Sequence, residues 1–111
     1  GEWMKFNDRS IYGCTAPPEG FEAPDMTLMT YNPKTNRMYI HLMDYPLQNL
    51  VLPNFKGKIR YAQLLRDGSE VKFGPRVGED IQEGEYASDL MLNLPVKKPG
   101  DDIPVVELIL E

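Results

Sequence analysis

The chain has 111 residues, 41% apolar and 26% charged, which is ordinary globular usage and leaves room for one domain with one core. A net charge of −5 opposes binding to a phosphate backbone, since the densest basic pairs are only Lys56 with Lys58 and Lys97 with Lys98, and nucleic acid is set aside as a partner. Apolar runs such as Val105 to Leu110, interrupted by Glu107, fall far short of the roughly 20 residues a membrane helix needs, so no membrane contact is expected.

Ten prolines and nine glycines break helix ladders and mark turns, which points to many short β elements. One cysteine, Cys14, leaves no internal disulfide and gives no compartment, and the chain opens on no signal peptide.

Residues 1–9 place Trp3 and Phe6 three apart with Met4 beside them, a helical face on a stretch too short to be stable alone. They are read as the remnant of a helix linking to an upstream domain, with residues 10–111 forming the domain proper. From Thr15 to Pro24 three prolines and Gly20 forbid regular hydrogen bonding, leaving a connector anchored by Phe21.

Period-two alternation begins after Asp25. Residues 26–31 and 37–43 read as strands, and Asn32-Pro33-Lys34-Thr35-Asn36 between them is turn chemistry of hairpin length. Pro46 stops the second strand, and a short edge strand over 48–52 points Leu50 and Leu52 inward. Over 58–66, strict alternation sets Ile59, Tyr61 and Leu65 on one face against Ala62 and Leu64 on the other. Asp67-Gly68 then predicts a type I′ hairpin turn leading to Val71 and Phe73. Residues 74–89 read as a long polar excursion across one end of the domain. Leu90, Leu92 and Leu94 alternate before Pro95, and the last strand, 104–110, sets Val106, Leu108 and Leu110 against Val105, Glu107 and Ile109. The expected fold is an all-β, two-layer antiparallel β-sandwich of seven or eight strands, Greek-key type, with a short N-terminal helical remnant.

Chemistry is sparse. A glycosidase needs two facing carboxylates, but Glu70, Glu79, Asp80, Glu83, Glu85, Asp101 and Asp102 sit in turns or polar stretches that read as solvated surface. Glu107 falls on the outer side of its strand and is read as an edge or interface carboxylate. His41 is the only histidine and Cys14 the only cysteine, so neither a metal cage nor a cofactor site is expected. A Cys14–His41 nucleophile and base lacks a third, orienting group. No glycine-rich phosphate loop or G-x-S-x-G elbow occurs. Aromatic residues are the remaining resource: Tyr31, Tyr45 and Tyr86 are candidates to stack on a sugar, against the plainer reading that tyrosine bodies cover the core rim.

Four segments together resemble the C-terminal domain of family 29 α-L-fucosidases. Ser10-Ile11-Tyr12-Gly13-Cys14 is similar to the I-Y-G-T after that family's last barrel helix, and Gly1-Glu2-Trp3-Met4 to the helix end before it. The run from Met38 to Pro46 is similar to a Y-v-h-l-l-d-w-P strand, and Ile59 to Phe73 to the strand and hairpin that follow. Leu92-Asn93-Leu94-Pro95 with Val105-Val106-Glu107-Leu108 resembles the closing strands. Cys14 stands where the family usually has Thr, and Tyr45 where it has Trp.

The resemblance implies a sandwich packed on an upstream (β/α)8 barrel that hydrolyses α-L-fucosides with retention, and it suggests a secreted or periplasmic protein. That family's catalytic carboxylates lie on the barrel, so none is carried over here. The chain is therefore expected to be a non-catalytic accessory domain with the upstream catalytic barrel as its partner, meeting it through Trp3, Phe6, Tyr12 and Phe21. The alternatives are a carbohydrate-binding module for fucosylated glycans and a free-standing interaction domain.

Overall fold

Alternating apolar residues build seven strands among the described residues of the computed structural model, which are residue 4 and residues 7–46, 49–76, 87–95, 98 and 103–111. In chain order they are β1 (Thr27–Asn32), β2 (Arg37–Leu42), β3 (Asn49–Leu52), β4 (Ile59–Leu64), β5 (Lys72–Pro75), β6 (Leu90–Asn93) and β7 (Val105–Leu110). They form two antiparallel sheets, one ordered β1-β2-β7-β4 and one ordered β3-β6-β5. The sandwich expected from the sequence is the fold observed. The proposed roles of Trp3 and Phe6, and residues 77–86 of the 74–89 excursion, lie outside the described residues; the excursion was expected from residue 74, but Gly74 and Pro75 belong to β5, where they pair with Met91 and Leu90.

The β1–β2 hairpin sets the frame. Its turn works because Asn36 accepts a left-handed φ of 54° and the Asn32 Oδ1 accepts the Lys34 backbone N–H at 3.0 Å, local bonds that Asn makes more readily than bulkier residues. Thr27 then pairs with Leu42 and Asn32 with Arg37, a register that sends Met29, Met38, Ile40 and Leu42 to the same inner face. On the far side of β2 lies β7, whose Val106, Leu108 and Leu110 join that face. Leu50, Leu52, Leu90 and Leu92 of the smaller sheet, with Phe55 from the β3–β4 connection, close the core from across the sandwich.

The structure differs from the sequence expectation at the start of β4, in the turn after it and in the proline-rich connector. In β4 the register against β7 shifts between Ile59 and Tyr61, leaving exposed Arg60 as the extra residue. This bulge places Ile59 in the core with Ala62 and Leu64, so Ile59 and Tyr61 part to opposite faces. At Asp67-Gly68 only Gly68 has positive φ (76°), so the turn is not type I′. The Leu65 N–H still bonds the Val105 carbonyl at 2.9 Å, so β4 follows β7 one residue further and the reversal widens, with Gly68 N–H reaching Leu64 O at 2.8 Å. After a brief pairing of Gln63 with Glu70, the chain crosses over and β5 joins β6 in the smaller sheet. In the proline-rich connector, Thr15 makes two backbone bonds with Tyr31, of 2.7 and 2.9 Å, and so covers part of the free edge of β1.

The outer face of the larger sheet is also covered. A 3-10 turn, Asp8–Ser10, lies on it, and the Ser10 carbonyl accepts the Thr30 hydroxyl at 2.6 Å. Cys14 packs on a small cluster of Tyr39, Leu65 and Val105 on that same face. Phe21 anchors its connector on the core, edge-on to Phe55 at 5.2 Å.

Because Ile40 is fully buried between the sheets whereas Leu28, on the neighbouring strand, is 53% exposed, truncation should separate them sharply. Ile40→Ala is expected to lower the unfolding free energy by about 2–5 kcal/mol and Leu28→Ala by no more than ~0.5 kcal/mol, as read from urea denaturation.

Candidate functional site

The most concentrated polar chemistry lies on the outer face of the larger sheet. Alternation sends Arg37, Tyr39 and His41 of β2, Glu107 of β7 and Gln63 of β4 to this side, and the register sets Tyr39 and Gln63 on either flank of Glu107. Glu107 is 0% exposed. Its Oε2 accepts the Tyr39 hydroxyl at 2.9 Å and an Arg37 guanidinium N–H at 3.3 Å, and its Oε1 accepts the Gln63 amide at 2.6 Å. Glu107 was expected at an edge or interface. It stands instead on a central strand, because β7 enters between β2 and β4.

The electrostatics follow from burial. The Tyr39 phenol is pushed above its ordinary range, first by burial and then by its bond to the Glu107 carboxylate. The His41 imidazole is pushed down by burial, partly offset by its bond to the Leu28 carbonyl at 2.9 Å, and since a carbonyl only accepts, Nδ1 carries the proton there. Burial raises the Cys14 thiol.

Arg37 and Tyr39 form part of the lining of a groove of about 330 Å³ between the Asp8–Tyr12 segment and the tip of the β1–β2 hairpin. Asp8, Arg9, Tyr12, Asn32 and Thr35 complete it. Among the described residues Asp8 is its only carboxylate, since the Glu107 oxygens are taken up below the surface. A second groove, of about 350 Å³, has Pro18, Phe21, Tyr31, Asn36, Lys58 and Leu110 in its walls. There the Lys58 ammonium sits 4.8 Å from the centre of the Phe21 ring and bonds the Gly20 carbonyl at 3.0 Å. Among the described residues no three of His, Cys, Asp and Glu come together to hold a metal ion.

The residues singled out from the sequence are scattered. Tyr12 is 68% exposed on the first groove, whereas Phe21 is half-buried in the second, so the structure does not bring them together. Tyr31 and Tyr45 pack against the main core, with their hydroxyls bonded to Asn36 Oδ1 at 2.7 Å and to the Pro95 carbonyl at 2.6 Å. Trp3, Phe6 and Tyr86 lie outside the described residues. The sequence reading missed Arg37 and Gln63. The signal available was a carboxylate inside the apolar run Val105 to Leu110, a position that obliges neighbouring strands to supply donors.

Comparison with solved structures shows what the chain is similar to. Over 99% of its length this chain is similar to α-L-fucosidase isoenzyme 1 from Paenibacillus thiaminolyticus, at 31% identity and a TM-score of 0.79, covering 24% of that chain. The chain resembles a domain of family 29 α-L-fucosidases. A GH29 α-L-fucosidase from Bacteroides thetaiotaomicron shares the fold at 21% identity and a TM-score of 0.75, with 99% of this chain and 22% of that chain covered. The α-fucosidase of Thermotoga maritima shares it at 17% identity and a TM-score of 0.67, over 97% and 24%. The chain thus spans about a quarter of the length of these α-L-fucosidases. No protein-family model matches the sequence, and no curated protein sequence matches it.

Two measurements follow from the buried face. Removing the carboxylate strands three donors, so Glu107→Ala should cost about 3–5 kcal/mol in urea denaturation and Glu107→Gln clearly less. His41, lowered from an ordinary value of 6.5, binds its proton more readily in the unfolded chain. Its contribution is intact above about pH 6.5 and is lost as the pH falls below that. Urea midpoints should therefore drop between about pH 7 and about pH 5, with a shallower drop in His41→Gln.

Proposed function

We propose that this chain is an accessory domain of an α-L-fucosidase, buttressing a separate catalytic barrel and supplying no catalytic group itself. The observation that carries this reading is the comparison with the Paenibacillus fucosidase, in which nearly the whole chain matches while about three quarters of the relative lies elsewhere. Carboxylate geometry supports it. A retaining glycosidase needs two carboxyl groups about 5–5.5 Å apart, and among the described residues the polar groove presents Asp8 alone.

A surface suited to the barrel is present at one end of the β1–β2 hairpin. Met26, Leu28 and Met43 are each more than half exposed. The Met43 N–H bonds the Met26 carbonyl at 3.1 Å, which holds the two methionines side by side. Met26 has a φ of 59°, a conformation a non-glycine residue adopts rarely, and its side chain is nevertheless turned outward. Adaptable methionine side chains beside an exposed leucine suit burial against another domain. Phe21, expected at this interface, is held by Phe55 and Lys58. The proposed contact is therefore the methionine–leucine patch, with Tyr12, the other expected residue among the described ones, left 68% exposed at the opposite end of the hairpin.

The chain alone should release no aryl alcohol from an aryl α-L-fucoside at any pH, and measurable turnover would reject the reading. Leu28→Lys combined with Met26→Lys should leave the isolated chain folded, both side chains being exposed, yet lower the melting temperature of the full-length parent. An unchanged parent would remove this patch from the interface.

A further inference from the structure

We propose that the groove between the Asp8–Tyr12 segment and the β1–β2 turn is a binding site for a neutral pyranose sugar, a site that does not depend on the accessory reading above. Leu28 and Asn32 stand at opposite ends of β1, so the groove is set apart along the hairpin from the methionine–leucine patch.

Three features of the groove carry the assignment. The first is the wall. Tyr12 lines the groove and is 68% exposed, leaving ring surface open to the C–H face of a sugar. In the other groove Lys58 covers the Phe21 ring and the Tyr31 hydroxyl is bonded to Asn36. The second is charge. Arg37 is neutralised by Glu107, and Asp8 offsets Arg9, so the lining holds no surplus positive charge to select an anion. With the Asn32 amide and the Thr35 hydroxyl it offers donors and acceptors side by side, and each sugar hydroxyl needs both. The third is the floor. Glu107 holds Arg37 and Tyr39 in place from beneath, so part of the ordering cost of binding is already met by the fold. Glu107 is fully buried while its Arg37 partner is 34% exposed, and a carboxylate taken out of water is a poor source of stability even when paired, which makes positioning of the floor the better account of why one occupies a central strand. The volume of about 330 Å³ is at the small end for ligand pockets, as one or two sugar rings require.

The test is an NMR titration of the 15N-labelled 111-residue chain with methyl α-L-fucopyranoside, methyl β-D-galactopyranoside and glucuronate. At least one neutral glycoside should shift the amides of Tyr12, Asn32 and Thr35 saturably in the millimolar range, with glucuronate binding no more tightly. Tyr12→Ala should weaken this binding by about tenfold with an otherwise unchanged spectrum, because the ring is exposed. Tyr45→Phe, away from the groove, should leave it unchanged. Absence of saturable shifts with both neutral glycosides would overturn the proposal, as would shifts produced by glucuronate alone or a Tyr12→Ala chain that binds as tightly as the original. None of these results bears on fucoside hydrolysis, so failure here is distinct from failure of the accessory reading.

Discussion

The larger sheet is organised around one buried carboxylate. β7 runs between β2 and β4, so any side chain on its outer face has a strand on each flank and the Asp8–Cys14 segment on the same side of the sheet. Placing Glu107 there obliges the neighbours to answer it. Tyr39 does so from β2, Gln63 from β4, and Arg37 reaches in from the start of β2. All three bonds depend on the present register, because a slip of one residue in either neighbour would turn Tyr39 or Gln63 into the core and leave the charge unanswered. The polar network thereby ties strand order and register to one another.

That constraint separates the two faces of the sheet. The inner face is an ordinary sandwich core of Met38, Ile40, Leu42, Val106 and Leu108, and its driving force is removal of apolar surface from water. The outer face of an antiparallel sheet is commonly solvated, yet here Tyr39, His41, Val105 and Glu107 are all buried. Covering this second face makes the domain thicker than two layers around β2 and β7. It also accounts for the direction of the tyrosine and histidine shifts, since both groups lose water on the same side.

Much of this was legible in the sequence. Alternation with a hairpin-length turn located β1 and β2, and Leu50 with Leu52 identified the inward side of β3. Turn residues such as Asn36 carry their conformational preference locally, so the hairpin could be read without knowing the fold. What was not legible depended on pairing. The bulge at Arg60 flips the sense of alternation in β4 only because β7 sets the register. Asp67-Gly68 looked like a two-residue turn, but the bond from Leu65 to Val105 carries the pairing one residue beyond β4 and widens the reversal. Glu107 was put on the correct face and the wrong kind of strand, because strand order is a property of the assembled sheet and no local pattern encodes it. Tyr12, Tyr31 and Tyr45 are similar in sequence terms and differ in the fold, since two of the three find both an apolar bed and a hydroxyl partner.

If the two proposals hold, the domain divides its surface between a permanent neighbour and a transient one. A permanent interface gains from apolar side chains that adapt to the surface they meet, and Met26, Leu28 and Met43 provide these at one end of the hairpin. A site for a small polar ligand gains from groups fixed beforehand, because each side chain ordered on binding subtracts from affinity. Such groups gather at the hairpin's other end, above Glu107. The β1–β2 hairpin thus carries a soft apolar end and a rigid polar end, and the rigidity of the second comes from the same carboxylate that fixes the order of the strands.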